Sequence, residues 1–307
     1  MHEYDTIIIG GGPAGLSAAL YASRADLKTM VLETGALGGQ IATTSEVENY
    51  PGSIQHCTGP TLTERMKEQS LSFGTDIKFE AYQEMTKVGD YFLIRTDQGE
   101  YKSKTVIIAT GSRPKLIGCK GEQEFRGLGV SYCATCDANF FRGLNVAVVG
   151  GGDSAVDEGL FLTKFAKKVI LIHRRDELRA AKALQNKAFA NPKMDFIWNS
   201  TIEEIKGNGV VQSMITKDVK THEVKEIPID GVFVFIGYTP NSKEFQDFVA
   251  LDNAGNVITD EEMKTKTPGV FAAGDIRKKL LKQAITASAD GAIAAISAEK
   301  YIANYFE

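Results

Sequence analysis

The chain has 307 residues, of which 43% are hydrophobic, and a formal net charge of −4. A chain of this length can hold two domains, and this hydrophobic content can supply a core for each of them. The slight negative charge and the lack of a lysine or arginine run argue against nucleic acid as a partner.

Nothing in the sequence predicts attachment to a membrane. The first residues lack the basic region of a signal peptide, and no stretch approaches the roughly 18 apolar residues that a membrane-spanning helix needs. The 4 cysteines are too few and too scattered for a secreted disulfide scaffold. We therefore expect a cytoplasmic protein with no membrane partner.

A first candidate nucleotide site begins directly after the apolar run at residues 6–9. The sequence GGGPAG at residues 10–15 separates this run from an alanine-rich helical pattern. A glycine turn between a strand and a helix brings backbone N–H groups and a helix N-terminus onto a pyrophosphate. Glu33 lies 23 residues after Gly10 (33 − 10), where an acid accepts hydrogen bonds from a ribose 2′-hydroxyl. The residues predicted to bind this nucleotide are Gly10, Gly12, Pro13, Ala14, Gly15 and Glu33.

Two later segments are predicted to line the same nucleotide. The glycine-rich stretch at residues 35–59, which contains Gly39 and Gln40, is longer than most connections in compact domains, and such loops are often functional. A β-rich region at residues 77–108 ends in Ala109, Thr110 and Gly111. A strand followed by Thr-Gly places backbone close to a ligand.

Cys133 and Cys136 form a C-x-x-C pair, which indicates either a redox dithiol or half of a metal site. A structural zinc site needs about four ligands. The other cysteines and the histidines of this chain offer no second pair at short spacing. We therefore predict a redox-active dithiol and no metal.

A second candidate nucleotide site repeats the first one 140 residues later (150 − 10). The apolar run at residues 146–149 is followed by GGGDSA at residues 150–155. The position equivalent to Glu33 is His173, followed by three arginines within two helical turns. Planar guanidinium groups suit a 2′-phosphate, although a solvated charged stretch is the plain alternative. The residues predicted to bind this nucleotide are Gly150, Gly152, Asp153, Ser154, His173, Arg174, Arg175 and Arg179, with Ile236 and Gly237 at the end of the closing strand.

Charge indicates which nucleotide each turn prefers. Two like charges about 4 Å apart repel by roughly 1 kcal/mol in water and roughly 4 kcal/mol at an effective dielectric constant of 20. Glu33 should therefore disfavour the 2′-phosphate of NADPH. We interpret the first site as an FAD site and the second as an NADPH site.

The end of the chain returns to the first domain. Residues 267–275 predict a strand that ends in Gly274 and Asp275, and a helix over roughly residues 283–305 follows. The chain is therefore expected to adopt an α/β fold with two Rossmann-like, three-layer ββα dinucleotide-binding domains. The NADPH domain, residues 115–242, is expected to be inserted into a discontinuous FAD domain made of residues 1–114 and 243–307.

Taken in order, these motifs resemble the low-molecular-weight, bacterial-type thioredoxin reductases of the FAD/NADPH pyridine nucleotide-disulphide oxidoreductases. The resemblance extends over essentially the whole chain and also includes VENYPG at 47–52, CATCD at 133–137, HRRD at 173–176 and the pair QA at 283–284. It implies an NADPH-dependent thioredoxin-disulfide reductase. Electrons would pass from NADPH through FAD to the dithiol and on to the disulfide of a thioredoxin or thioredoxin-like protein. It also implies a homodimer.

The resemblance assigns roles that the spacing alone does not show. Cys136 would face the flavin, Cys133 would attack the disulfide of the partner protein, and Asp137 would act as the acid and base, although an isolated Asp is more often a turn or cap residue. Asp275 would hold the ribityl chain of FAD. The remaining residues implied to complete the flavin pocket are Gln40, Asn49, Gln283 and Ala284. Ala138 and Asn139 depart from the family pattern after the dithiol.

Three other functions compete with this hypothesis. An NADH-dependent flavoprotein reductase of a peroxide-defence system has a similar core, but it has an N-terminal redox extension and lacks the preference for a phosphate that the arginines indicate. A ferredoxin or flavodoxin–NADP reductase-like flavoprotein shares the fold but lacks the C-x-x-C pair. A nucleotide-sensing module without catalysis would bind NADPH and leave its flavin oxidised.

Overall fold

The computed structural model describes residues 2–44 and 47–306. The chain forms two compact units: Met1–Arg113 with Thr239–Glu307, and Pro114–Tyr238. The chain leaves the first unit after residue 113, one residue earlier than the expected boundary at 114. It returns to that unit after residue 238, four residues earlier than the expected boundary at 242.

Strands are the most numerous elements in the described part of the chain. They are β1 (His2–Ile9), β2 (Thr29–Leu32), β3 (Asp76–Lys78), β4 (Tyr82–Val88), β5 (Tyr91–Thr96), β6 (Glu100–Ile108), β7 (Ser112–Pro114), β8 (Val130–Ser131), β9 (Asn145–Val149), β10 (Lys168–Ile172), β11 (Met194–Ile197), β12 (Ser200–Asn208), β13 (Val210–Asp218), β14 (Val224–Pro228), β15 (Gly231–Val234), β16 (Tyr238–Pro240), β17 (Ala250–Leu251), β18 (Val257–Ile258) and β19 (Val270–Ala272).

The helices are fewer and mostly short. The α-helices are α1 (Pro13–Arg24), α2 (Gly59–Ser72), α3 (Ala134–Asp137), α4 (Asp153–Leu162), α5 (Lys182–Ala190) and α6 (Ala284–Tyr305). Single turns of 3-10 helix occur at Gly39–Thr43, Ala138–Phe141, Lys243–Phe245 and Gly274–Ile276. None of the helices in the described ranges is both long enough and apolar enough to cross a bilayer.

The first unit is built on a sheet in the order β3-β2-β1-β6-β5-β4. Strands β3, β2, β1 and β6 are parallel, and the far edge of β6 pairs with β5 through its first half and with β19 through its second half. Alternate residues of β1 bury on opposite faces. Ile8 packs with the alanines of α1 and α6, whereas Ile7 and Ile9 join a cluster around Phe92. A sheet covered on both faces explains the continuous apolar runs.

The second unit holds an all-parallel sheet in the order β11-β10-β9-β15-β8 and an antiparallel sheet of β12, β13 and β14. One face of the parallel sheet packs on α4, with Val146 and Val148 against Val156. The other face, with Ala147 and Val232, packs on the antiparallel sheet. Helix, parallel sheet and antiparallel sheet form three layers, and the predicted α/β class with parallel dinucleotide-binding sheets is confirmed.

Candidate active site

The first glycine turn connects β1 to α1 in the first unit. Gly10 donates its N–H to the carbonyl of Leu32 at 2.8 Å, which fixes the turn to the neighbouring strand. A Cβ on Gly15 would collide with the carbonyl oxygen of Gly10, so the helix can start here only with glycine at that position. Pro13 occupies the first helical position, and no described side chain caps the N-terminus of α1. The first N–H groups of α1 therefore point to a space that suits a phosphate.

Glu33 follows β2 and turns back to this glycine turn. Its Oε2 accepts a hydrogen bond from the N–H of Gly11 at 2.9 Å, and its Oε1 accepts one from Thr34 at 2.7 Å. The side chain is half-buried. The structure thus brings a carboxylate to the edge of the turn, where the sequence predicted a group that binds a ribose.

The segment after β6 lies against the same turn. Gly10 is in the left-handed region, with φ of +109°, and its Cα faces the carbonyl of Ala109. Thr110 donates its hydroxyl to the carbonyl of Asn241 at 2.8 Å, and Asn241 returns a hydrogen bond from its Nδ2 to the carbonyl of Thr110 at 2.7 Å. Asn241 also donates its N–H to Gly111 at 3.0 Å. Sequence reasoning missed the role of Asn241, because its partners lie 131 residues away.

Several loop residues were expected at the flavin. In the structure, these residues contact each other or residues next to the first glycine turn. The Cα of Gly39 lies beside that of Gly12. Gln40 donates its side-chain amide to the carbonyl of Ser112. Asn49 Nδ2 donates to Gln283 Oε1 at 3.1 Å, and Gln283 is the N-cap of α6, whose first residue is Ala284.

The surroundings of Asp275 indicate whether the hydroxyl groups of a ribityl chain could bind at this site. Its neighbour Gly274 packs on Ala14 in the first turn of α1, so the 3-10 turn that carries Asp275 lies at the start of that helix. The Oδ1 atom of Asp275 is buried and has no hydrogen-bond partner among the described residues; the Nζ atom of Lys279 lies 3.5 Å away. Burial raises the pKa of this carboxyl, while Lys279 and Lys282 lower it. A buried acceptor whose nearest described donor is an ammonium group at 3.5 Å can still take a hydrogen bond from a ligand hydroxyl, and the residues present fit a flavin nucleotide.

The second glycine turn connects β9 to α4. Gly150 donates its N–H to Ile172 at 3.1 Å, and its Cα faces the carbonyl of Phe235, which is followed by the exposed Ile236 and Gly237. Asp153 begins α4 and accepts a hydrogen bond from the N–H of Ala181 at 2.7 Å. The remaining predicted residues at this N-terminus are Gly152, which is the N-cap, and Ser154, which is exposed.

The cationic residues after β10 differ in exposure. Arg174, Arg175 and Arg179 are exposed, and Arg179 donates its N–H to the carbonyl of Gly151 at 2.7 Å. His173 is only 5% exposed, and its ring packs against Gly151. Its Nε2 has no hydrogen-bond partner among the described residues. Burial and then the neighbouring arginines lower the pKa of His173. His173 thus lies beneath the turn. Among these residues, the exposed guanidinium groups are the ones that could bind a phosphate.

Cys133 and Cys136 form a disulfide in the second unit, with their Cα atoms 5.3 Å apart. Cys133 is the N-cap of α3, and its Sγ accepts a hydrogen bond from the N–H of Cys136 at 3.2 Å. Both residues are half-buried. A backbone donor at Cys133 Sγ stabilises the thiolate when the disulfide is reduced.

Ser131, which the sequence did not indicate as a site residue, positions Asp137 and affects its pKa. Ser131 donates its hydroxyl to Asp137 Oδ2 at 2.6 Å and accepts a hydrogen bond from the N–H of Cys133 at 3.1 Å. Burial raises the pKa of Asp137, and the bond from Ser131 opposes that rise. A serine two residues before the first cysteine was the available signal, since serine commonly bonds to nearby backbone.

The two remaining cysteines, Cys57 and Cys119, are free thiols. Cys57 is 1% exposed in an apolar cluster with Leu16, Leu62 and Met66. Burial raises the pKa of Cys119 to about 11. The environment of Cys119 therefore favours the protonated thiol, which is a poor nucleophile.

Two glycine turns and a disulfide on one chain are the features of a known family. The sequence model of the pyridine nucleotide-disulphide oxidoreductases matches residues 4–291. The chain belongs to this family.

Three proteins that this chain is similar to are named thioredoxin reductase. The thioredoxin reductase of Peptoclostridium acidaminophilum is 56% identical over 310 residues, which cover 99% of this chain and 98% of the relative. That of Bacillus subtilis is 48% identical over 300 residues, covering 97% and 95%. The crystal structure of thioredoxin reductase from Streptococcus pyogenes superposes with a TM-score of 0.94 at 46% identity, with 99% of both chains covered.

Within the pyridine nucleotide-disulphide oxidoreductases, the chain therefore groups with the thioredoxin reductases. The resemblance that the motifs carried is confirmed, and so is the predicted class of oxidoreductase. Membership of the family implies a flavin and a nicotinamide nucleotide as cofactors.

Proposed function

We propose that the chain is an NADPH-dependent thioredoxin-disulfide reductase that uses FAD. The observation that carries this proposal is the half-buried Cys133–Cys136 disulfide, formed in the unit that also holds the second glycine turn. A disulfide that is not fully buried, with a carboxyl of raised pKa next to it, is suited to thiol–disulfide exchange.

The charges around the two turns support FAD in the first unit and NADPH in the second. The carboxylate of Glu33 is held against Gly11, where it would repel a 2′-phosphate and accept hydrogen bonds from a 2′-hydroxyl. The exposed guanidinium groups of Arg174, Arg175 and Arg179 would attract a 2′-phosphate. The turn residues Gly10–Gly15 and Gly150–Ser154 would supply N–H groups to the pyrophosphates.

The exchange with the partner protein uses the chain's own side chains. In the reduced protein, the Cys133 thiolate attacks one sulfur of the partner disulfide, and Asp137 gives a proton to the sulfur that leaves. The Cys136 thiolate then attacks Cys133 Sγ, which restores the Cys133–Cys136 bond and releases the second partner sulfur as a thiolate that takes a proton from solvent. The partner gains two electrons and two protons, one from Asp137 and one from solvent, and the chain loses two electrons.

Regeneration of the dithiol requires two electrons from outside the pair. FAD, when bound, supplies a two-electron carrier between the nicotinamide and the disulfide. The residues that would hold it are those at the first glycine turn, together with Asp275, Asn49 and Gln283. Gln283 is the N-cap of α6.

A thioredoxin or thioredoxin-like protein is the expected partner, because relatives up to 56% identical are named for that activity. We also propose a homodimer, which light scattering on the purified chain would test. A cytoplasmic location stays a prediction from the sequence. The NADH-dependent alternative is disfavoured by the three arginines, and the ferredoxin-type alternative by the disulfide.

A thioredoxin-coupled assay with NADPH or NADH as the donor tests the proposal. We expect a yellow protein that NADPH bleaches and that reduces thioredoxin far better with NADPH than with NADH. Cys136→Ser should keep the bleaching and abolish thioredoxin reduction, whereas the matched control Cys119→Ser in the same unit should keep both. Equal rates with both donors would contradict the NADPH assignment, and turnover at a normal rate by Cys136→Ser would contradict the exchange path.

A further inference from the structure

A group of buried charged side chains lies next to Asp275 in the first unit. Asp290 on α6 pairs with Arg277, with 2.8 Å between Oδ1 and the guanidinium, and its Oδ2 accepts the N–H of Gly274 at 3.0 Å. The side chains of Arg277 and Asp290 are about one-tenth exposed, at 11% and 10%. Asp290 thus has a cation and a backbone donor of its own.

Lys279 connects this group to Asp275 and to the start of α6. Its Nζ lies 3.1 Å from Asp290 Oδ2, 3.3 Å from Thr286 Oγ1 and 3.5 Å from Asp275 Oδ1, and its side chain is 11% exposed. The same Thr286 hydroxyl accepts the N–H of Gln283 at 3.2 Å. One ammonium group therefore links the 3-10 turn that carries Asp275 to the capping residues of α6.

Other charges that face Asp275 cannot replace Lys279. Lys282 also lowers the pKa of Asp275, but its Nζ donates to Asn256 at 2.9 Å, and burial lowers its own pKa. Asp290 acts in the opposite direction and raises the pKa of Asp275. Among the charged groups that lower the pKa of Asp275, Lys279 has the largest effect.

We propose that Lys279 is a positioning residue for the flavin, whose ammonium group keeps the buried Asp275 carboxylate ionised and oriented to accept hydrogen bonds from the ligand. This inference rests on the proposed function, because it assigns Asp275 to a flavin. It adds a residue outside the glycine turns and outside the motif that contains Asp275.

The proposal predicts a specific pH dependence of flavin binding. An ionised carboxylate accepts hydrogen bonds from ligand hydroxyls at both oxygens, so FAD affinity falls as the pH falls through the pKa of Asp275. Removal of Lys279 leaves burial less opposed, and the pKa of Asp275 rises. An opposite charge at this range shifts a carboxyl pKa by about one to three units. The affinity should therefore be lost at a higher pH in the variant.

The experiment is a titration of flavin-free protein with FAD, followed by quenching of flavin fluorescence, over about pH 4 to 8. For Lys279→Met, the midpoint of the affinity profile should move up by at least about one pH unit, which is about tenfold in Kd on the acidic side. Lys279→Arg keeps the charge and should retain the wild-type profile. Lys278→Met removes the exposed neighbouring lysine and should also retain it.

A double variant separates action through Asp275 from a general effect on folding. Asp275→Asn should bind FAD weakly and without this pH dependence, and Lys279→Met should weaken binding by less than about twofold when added to it. If Lys279→Met does not fold, as judged by circular dichroism, Lys279→Gln serves in the same comparison, because its amide can still donate to Thr286.

Two results would overturn the inference: a midpoint in the Lys279 variant equal to that of Lys278→Met, or an undiminished effect of Lys279→Met in the Asp275→Asn protein. Failure of the proposed function would look different. In that case, the wild-type protein would not bind FAD at any pH in the range.

Discussion

Ser131 controls the charge of the carboxyl next to the redox disulfide, so its removal should change the pH dependence of disulfide reduction. Burial raises the pKa of Asp137, and the hydroxyl of Ser131 opposes this because it donates to the carboxylate at 2.6 Å. In Ser131→Ala that donor is lost. The pKa of Asp137 should therefore rise further above its ordinary value.

The size and direction of the effect follow from the geometry. A hydrogen bond to a charged group contributes about 1.5–3 kcal/mol, and one pKa unit corresponds to about 1.36 kcal/mol, which gives a rise of about one to two units. Asp137 gives its proton to the leaving sulfur, so only its acid form is active in that step. The rate falls as the pH rises through the pKa, and Ser131→Ala should move this falling limb up by about one to two pH units.

A single-turnover assay isolates the step. The chain is first reduced with NADPH and then mixed with oxidised thioredoxin at a series of pH values, and the formation of the mixed disulfide between Cys133 and thioredoxin is followed. Ser131→Thr keeps a hydroxyl and is the matched control, while Asp137→Asn should remove the limb. A falling limb that stays in place in Ser131→Ala, or moves to lower pH, would refute the assignment of Asp137 as the proton donor. The loss of the bond from Cys133 N–H changes the overall rate but not the position of the limb.

Three further predictions test other parts of the chain. Replacing both Arg174 and Arg175 with alanine should raise the KM for NADPH at least about tenfold and the KM for NADH less than about twofold in steady-state assays. The reason is that the two charge-assisted contacts serve only the phosphate. Equal increases in both KM values would place phosphate binding elsewhere. Gly151→Ala should lower the free energy of unfolding by about 1–3 kcal/mol through a collision with the ring of His173, and adding His173→Ala should recover part of that loss in denaturant titrations; no recovery would mean that the ring is not the obstacle. Cys57→Ser should leave thioredoxin reduction unchanged and lower the free energy of unfolding by about 1–3 kcal/mol, because it places a hydroxyl in an apolar cluster; a loss of turnover with stability intact would give Cys57 a role in exchange.

The parts of the site that the sequence predicted are those written in short segments. The turn at Gly10–Gly15 was predictable because a strand, a glycine turn and a helix start occupy fewer than 20 consecutive residues, each with its own pattern. The closing helix was predicted from Gln283, and the structure shows Gln283 as the cap and Ala284 as the first helical residue. Local preferences and tertiary packing agree at these places.

The parts that the sequence could not predict depend on contacts between distant residues. Asn241 and Thr110 exchange hydrogen bonds across 131 residues, and although Thr110 belongs to a strand–Thr-Gly pattern, nothing in that pattern indicates Asn241 as its partner. Lys279 in the sequence is one of several neighbouring lysines. Its burial among Asp275, Asp290 and Thr286 follows only from the way α6 packs behind the 3-10 turn.

The position that aligns Glu33 with His173 shows where selectivity for the nucleotide must lie. Glu33 directly follows β2 and His173 directly follows β10, and both contact the middle glycine of the turn, Gly11 or Gly151. Glu33 offers a carboxylate at the edge of its turn, but His173 is buried, and burial and the neighbouring arginines lower its pKa, which favours the neutral ring. A neutral ring beneath the turn cannot attract a phosphate. It removes the acid that would repel one, and the attraction then has to come from the exposed guanidinium groups that follow it. Preference for the 2′-phosphate therefore needs two changes at neighbouring positions, loss of the acid and gain of the arginines, and the second without the first would leave the repulsion in place.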